Sequence, residues 1–367
     1  MTTSPVHGLP RWSLAVPPLA FVVLVLSWGR DLGTVLLIGV CAGLGAAVIA
    51  AVHHAEVVAH RVGEPFGTLI LALAVTIIEV ALIVTLMASG GDKAASLARD
   101  TVFAAVMITC NGILGLALVV GSLRHHVQEF RVRASSGALA VMTALVTLSL
   151  VLPTFTTSAS GPRFSGPQLA FAGVVSLVMY GVFVFVQTVR HRDYFLPVEP
   201  ASSEAVEEEQ HADAPSGKVA LGSLGLLFVC LIAVVGLAKT VSPKLESAVE
   251  SAGAPLAVVG VVIALLVLLP ETVAAVRAAL RNRLQTSVNL ALGSALASIG
   301  LTIPAIGIAS IWLDGPLVLG LGGKEMVLFA LTVVTSILTL ATGKATLLQG
   351  AVHLMVFSAF LFLAVSP

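Results

Sequence analysis

Charge is scarce in this chain. Only 10% of its 367 residues are Asp, Glu, Lys or Arg, with 19 basic against 19 acidic, and the formal net charge is zero. With no basic excess and no basic patch interleaved with aromatics, the electrostatic footprint of a nucleic-acid binder is missing, and that class is excluded. Cysteine is scarce too. Cys41, Cys110 and Cys230 all fall within apolar segments, which leaves neither a disulfide framework nor a CxxC metal knuckle; they read as small packing residues. The apolar stretch after Arg11 has no small-residue cleavage site behind it, because Trp28, Gly29, Arg30 and Asp31 lead straight into the next segment. A retained first span is expected there rather than a removed signal peptide.

What is abundant is apolar sequence. The chain is 57% hydrophobic with a mean hydropathy of +1.05, so most of it belongs in lipid rather than around a soluble core. Runs near the ~20 residues that a bilayer core requires predict an all-α polytopic membrane protein of about eleven transmembrane helices. The expected spans are 13–29, 33–58, 66–89, 101–122, 136–153, 167–189, 219–238, 254–276, 286–312, 325–341 and 346–365. With the N-terminus cytoplasmic, twelve Lys and Arg residues fall inside and seven outside, among them Arg124, Arg131, Arg133, Arg277, Arg281 and Arg283 inside. The positive-inside bias favours that orientation.

The one long polar stretch contains Glu199, Glu204, Glu207, Glu208, Glu209 and Asp213. Two readings stand for it: a solvated linker, or a cytoplasmic acidic helix that concentrates cations near an entrance. It divides the chain into an N-terminal helix (1–31), a five-helix half (32–190), an acidic cytoplasmic linker (191–218) and a second five-helix half (219–367). Each half holds a copy of a repeat, at 65–122 and 254–312. Thr101, Thr109, Gly115 and Leu116 align without gaps on Thr286, Ser294, Gly300 and Leu301. The copies lie an odd number of spans apart and therefore cross the membrane in opposite senses, the inverted-repeat pattern of many secondary transporters.

Each copy carries one acid in an otherwise apolar run, Glu79 in LILALAVTIIEVALIVTLMA and Glu271 in VVIALLVLLPETVAAV. An acid at mid-bilayer costs about 2.5–3.5 kcal/mol on insertion scales and marks a site facing a cavity, a partner or an ion. Glu79 stands roughly 15–20 Å of helix from either end, too far to snorkel. Together the two carboxylates offer the oxygen ligands and fixed negative charge that a dehydrated cation needs, so a shared cation and proton site is expected. Pro270 predicts a kink and a freed Leu266 carbonyl beside Glu271. Thr76 shares a helix face with Glu79. Thr109, Asn111, Asn289, Ser294 and Ser298 either ligate an ion or bond back to their own helices. His53, Glu56 and His60 fall on one helical stripe and read as an interfacial face, a proton path or a transition-metal site.

These strings, with AHRVGEPFGTLIL, IIEVALI and LLPETVAAVRAALRNRLQTSVNLALGSALASIGLTIP, resemble the calcium/cation antiporter superfamily. Within it they are similar to the bacterial calcium/proton and sodium(potassium)/proton antiporters of ChaA type. The resemblance covers nearly the whole chain. It implies a multi-pass protein of the bacterial inner membrane that exchanges cytoplasmic Ca2+, Na+ or K+ for protons and needs no cofactor, with the central acids falling on Glu79 and Glu271. VTIIE and VLLPE stand where related exchangers carry GNAxE. A cation channel, or an intramembrane metal-dependent enzyme built on His53, Glu56 and His60, are the rival functions.

Overall fold

A computed structural model describes residues 9–30, 33–63, 66–90, 94–196, 215–313 and 315–367. Pro65 and the acidic cluster from Glu199 to Asp213 lie outside the described residues. The described chain is helical almost throughout: α1 (Arg11–Ser27), α2 (Thr34–Val62), α3 (Phe66–Gly90), α4 (Leu97–His125), α5 (Val132–Thr154), α6 (Gly166–Arg190), a one-turn α7 (Arg192–Phe195), α8 (Gly217–Ser251), α9 (Ala257–Val267), α10 (Leu269–Leu280), α11 (Leu284–Ala309), α12 (Gly323–Leu340) and α13 (Leu347–Val365). Strands β1 (Gln128–Glu129) and β2 (Lys344–Ala345) pair antiparallel in a two-rung ribbon.

Among the described residues nine helices are long and apolar enough to cross a membrane, or ten if the bent pair α9 and α10 counts as one span, and α1 is a shorter apolar helix of 17 residues. This is a multi-pass membrane protein. Two expected spans differ from what is found. The span at 254–276 is two helices that meet at Leu268 with a 52° bend, because Pro270 has no N–H to continue the ladder. The span at 219–238 is part of α8, which runs 35 residues to Ser251. At 1.5 Å per residue α8 is ~52 Å long, well beyond the ~30 Å of a hydrocarbon core, and the charged residues Lys239, Lys244, Glu246 and Glu250 gather toward its C-terminal end.

The chain forms two compact units, Met1–Thr85 with Glu199–Pro243, and Leu86–Val198 with Lys244–Pro367. In the first, α1 packs along α2, and His54 of α2, fully buried, places Nε2 2.9 Å from the Ser13 carbonyl oxygen of α1. Gly63 ends α2 at φ 75° and returns its N–H to Ala59, a conformation that glycine adopts without strain.

The second unit is built around α4, of which 89% of the spanning window is buried. Helices α9, α10, α11 and α13 pack against it. That encirclement requires small residues where backbones approach. A Cβ on Gly260 of α9 would stand 2.9 Å from the Thr101 nitrogen of α4, and one on Gly350 of α13 2.8 Å from Val119. On α11, a Cβ on Gly300 would stand 2.6 Å from Tyr180 of α6, whereas one on Gly293 meets nothing within 4 Å. Gly300→Ala is therefore expected to lower stability by about 1–3 kcal/mol through overpacking, and Gly293→Ala to cause no loss; thermal unfolding in detergent compares the two.

Candidate functional site

Glu79 is the only ionisable residue in α3. It is 2% exposed, and Thr76, one turn earlier on the same stripe, is 5% exposed. Ile78, Leu82 and Ile83 are also buried, while Leu73 and Ile77 face outward. The acid thus lies buried on the inward face of an apolar helix.

Glu271 lies in the first turn of α10, half-buried. Leu268 leaves helical geometry (φ −87°, ψ 2°), and the missing amide of Pro270 would have bonded the Leu266 carbonyl. The Leu268 carbonyl accepts from the Thr272 amide at 2.9 Å and from the Thr272 hydroxyl at 2.7 Å. The far end of α10 is clamped. His125 Nε2 lies 2.9 Å from the Leu280 carbonyl oxygen, and Gln128 Nε2 donates to the Ala279 carbonyl and to Asn282 Oδ1, each at 3.0 Å. Asn282 takes the left-handed conformation (φ 59°), and Arg283 N–H returns to Ala278 at 2.9 Å, a Schellman closure. Ser287 Oγ donates to the Ala275 carbonyl at 2.7 Å. Residues 125–128, at and just past the end of α4, thus hold the end of the helix that carries Glu271.

The supporting polar residues divide by where their hydrogen bonds go. Thr109 and Asn111 lie in a π turn of α4, Ile108–Ile113, every residue of which is buried; π turns recur at functional places in helices. Thr109 Oγ1 donates back to its own helix, to Ala105 O at 2.8 Å or Val106 O at 3.0 Å. Asn111 spends its amide on two other helices. Nδ2 donates to Thr332 Oγ1 of α12 at 2.9 Å, and Oδ1 lies 3.2 Å from His353 Nδ1 of α13. Asn289 accepts from Gln285 at 2.8 Å and donates to the Phe195 carbonyl at 2.6 Å, so it fastens α11 to the end of α7. Ser294 is half-buried and Ser298 is 4% exposed on α11.

The stripe of His53, Glu56 and His60 does not form a metal centre. His53 is half-buried with its ring 4.9 Å from Trp12, whereas Glu56 and His60 are exposed. Among the described residues no group of three or more His, Cys, Asp or Glu side chains is arranged to hold a metal ion. Helical spacing aligned the three on one face; Trp12 of α1 takes the place beside His53. The sequence reading also missed two residues. His54 ties α2 to α1, and His353, fully buried, is the only ionisable residue of α13, the same anomaly that singled out Glu79.

Comparison with known proteins bears on what these helices do. The family model described as "Sodium/calcium exchanger protein" matches residues 32–189 and 222–366. The chain belongs to that family. Among relatives of this exchanger-family protein, a putative ionic transporter (y4hA) of Sinorhizobium fredii is 50% identical over 98% of this chain and 97% of its own length. The sodium-potassium/proton antiporter ChaA of Escherichia coli is 36% identical over 95% of this chain and 94% of its own. A crystal structure of an H+/Ca2+ exchanger, CAX, superposes with a TM-score of 0.70 at 16% identity, covering 95% of this chain and 87% of that one, which is a likeness of fold. These relatives are transporters rather than enzymes; the names of ChaA and CAX carry cation/proton exchange, and that of y4hA carries ion transport alone.

The clamp on α10 yields a stability prediction. Gln128→Ala removes one buried and one part-buried hydrogen bond and is expected to cost about 1–3 kcal/mol, read as a lower thermal midpoint of the purified protein.

Proposed function

We propose that the protein is a secondary antiporter of the bacterial inner membrane that exchanges a cytoplasmic cation for protons by alternating access. Glu79 and Glu271 form its single central site, the N-terminus is cytoplasmic, and the halves 32–190 and 219–367 form the inverted repeat around that site, joined by an acidic cytoplasmic linker (191–218). The observation that carries this reading is Glu79, 2% exposed as the lone ionisable group of a 25-residue apolar helix. A family member has no cheaper explanation for an acid at that depth than a transported charge. The two stretches matched by the family model, 32–189 and 222–366, fall one in each half and support the repeat.

The chemistry follows from competition for the same oxygens. Two carboxylates at close range repel when both are ionised, and a bound cation relieves that repulsion. When both are protonated the pair is neutral and has nothing to offer a cation. If only the loaded forms reorient, each turn of the cycle carries cation one way and protons the other. Two charges suit Ca2+. Na+ and K+ bind the same oxygens, and cavity size and ligand number rank the three. Backbone oxygen at the Pro270 break is a natural further ligand beside Glu271, because proline frees the Leu266 carbonyl from its helical partner.

The test uses the purified protein in proteoliposomes. Vesicles acidic inside are expected to lose protons when Ca2+, Na+ or K+ is added outside, each cation tried in turn, and Glu79→Gln and Glu271→Gln are each expected to reduce this to the level of empty vesicles. Wild-type exchange by both variants overturns the two-glutamate site. Cation current without proton movement assigns the protein to channels instead.

A further inference from the structure

One buried polar network belongs to neither glutamate. Thr332 Oγ1 donates to the Leu328 carbonyl at 2.8 Å, so it accepts from Asn111 Nδ2. Asn111 Oδ1 can then only accept, which places the proton of the His353 ring on Nδ1. In the neutral ring Nε2 accepts, and its partner is the Thr339 hydroxyl at 3.0 Å. The four side chains come from α4, α12 and α13, and none is more than 2% exposed. A neutral imidazole thus satisfies the whole chain of donors and acceptors with both its nitrogens used.

The surroundings are as telling. Gly115 of α4 leaves room for His353, whose Cβ would lie 3.1 Å from a Cβ there, and Gly112 does the same for Phe357. Helices α4, α12 and α9 pack against α13. Their charged and titratable groups are Arg99, Asp100, Cys110, Arg124 and His125 on α4, and Lys324 and Glu325 on α12; α9 has none. Cys110 sits in the π turn itself. The rest stand seven or more residues, about two turns, from Asn111 or Thr332 along their helices. The π turn that holds Asn111 also packs against α10, the helix of Glu271.

We propose that His353 is a positioning residue of the cation site, an inference that rests on the exchange function proposed above. As a neutral donor it fixes the amide of Asn111 from one side while Thr332 fixes it from the other. Their joint grip holds the π turn of α4 in the shape against which the Glu271 helix is seated. His353 acts on cation binding through Asn111, not by carrying the transported proton.

The measurement is cation-driven proton flux in proteoliposomes, with KM, maximal rate and pH profile for wild type, His353→Leu, His353→Asn, Asn111→Ala and the double variant His353→Leu/Asn111→Ala. His353→Leu is expected to raise the cation KM about ten-fold, the loss of one buried hydrogen bond, with a smaller change in maximal rate. The double variant is expected to match Asn111→Ala alone, because the two residues act as one unit. His353→Asn, whose amide stands near the lost Nδ1–H, is expected to recover most of the KM and to keep the wild-type pH profile. A wild-type KM in His353→Leu, additive effects in the double variant, or a displaced pH profile in His353→Asn each overturn the proposal, the last by making His353 a proton carrier. If His353→Leu fails to give monodisperse protein, Thr332→Val removes the opposite grip on Asn111 and is read by the same KM criterion. Exchange absent from the wild type defeats the functional reading; exchange present but indifferent to His353 and Thr332 defeats only this one.

Discussion

Hydrocarbon offers no hydrogen-bond partner, and most of what distinguishes one helix of this protein from another follows from that constraint. A lone hydroxyl solves it locally. Thr143, Thr147, Thr188 and Thr240 each donate to the carbonyl four residues back, which costs the helix little and commits it to no neighbour. An amide or an imidazole has too many polar atoms for that solution. Asn111 and His353 must recruit other helices, and an unsatisfied buried group would cost about 1–3 kcal/mol. Polar residues that look alike in a hydropathy profile therefore differ in consequence: threonines are tolerated, whereas the amide and the imidazole dictate which helices meet.

Packing answers to a second demand. Helix α4 is almost wholly enclosed, whereas only 22% of the spanning window of α13 is buried. Lipid contact asks only for apolar surface, but enclosure asks for volume, and this is why glycine stands where α9 and α13 press on α4, at Gly260 and Gly350. The α10 clamp by His125 and Gln128 joins the two demands, since it satisfies carbonyls at a helix end while fixing where that helix stands.

Much of the architecture was legible in the residues. Apolar runs located α2 to α6 and α11 to α13 to within a few residues, because a segment facing lipid or a buried core must be apolar along its whole length. Pro270 signalled an irregularity, yet a kink and a clean break at Leu268 look the same in sequence, and the polar continuation of α8 past residue 238 carried no hydropathy signal at all. The acids were legible as solitary charges. The role of Asn111 was not, because periodicity says which residues share a face and nothing about which helix that face meets. His353 obeyed the same rule as Glu79 and needed only the same question asked of α13. Of the alternatives for His53, Glu56 and His60 only the metal site fails, because shared direction on one helix is not convergence on a common point, and metal binding requires the latter.

The network around Asn111 has a temporal side. Its partners Thr332 and His353 lie 221 and 242 residues further along the chain, and a ribosome adds about 5–20 residues per second. For roughly 10 to 50 s of synthesis, then, α4 exists without the two helices that satisfy its central amide. A helix in that condition is a poor candidate for release into lipid and a good one for retention beside the insertion machinery until the last two spans emerge. The C-terminal helices α12 and α13 thus complete the helix at the centre of the second unit, and a chain truncated before them strands a polar group in the middle of the bilayer.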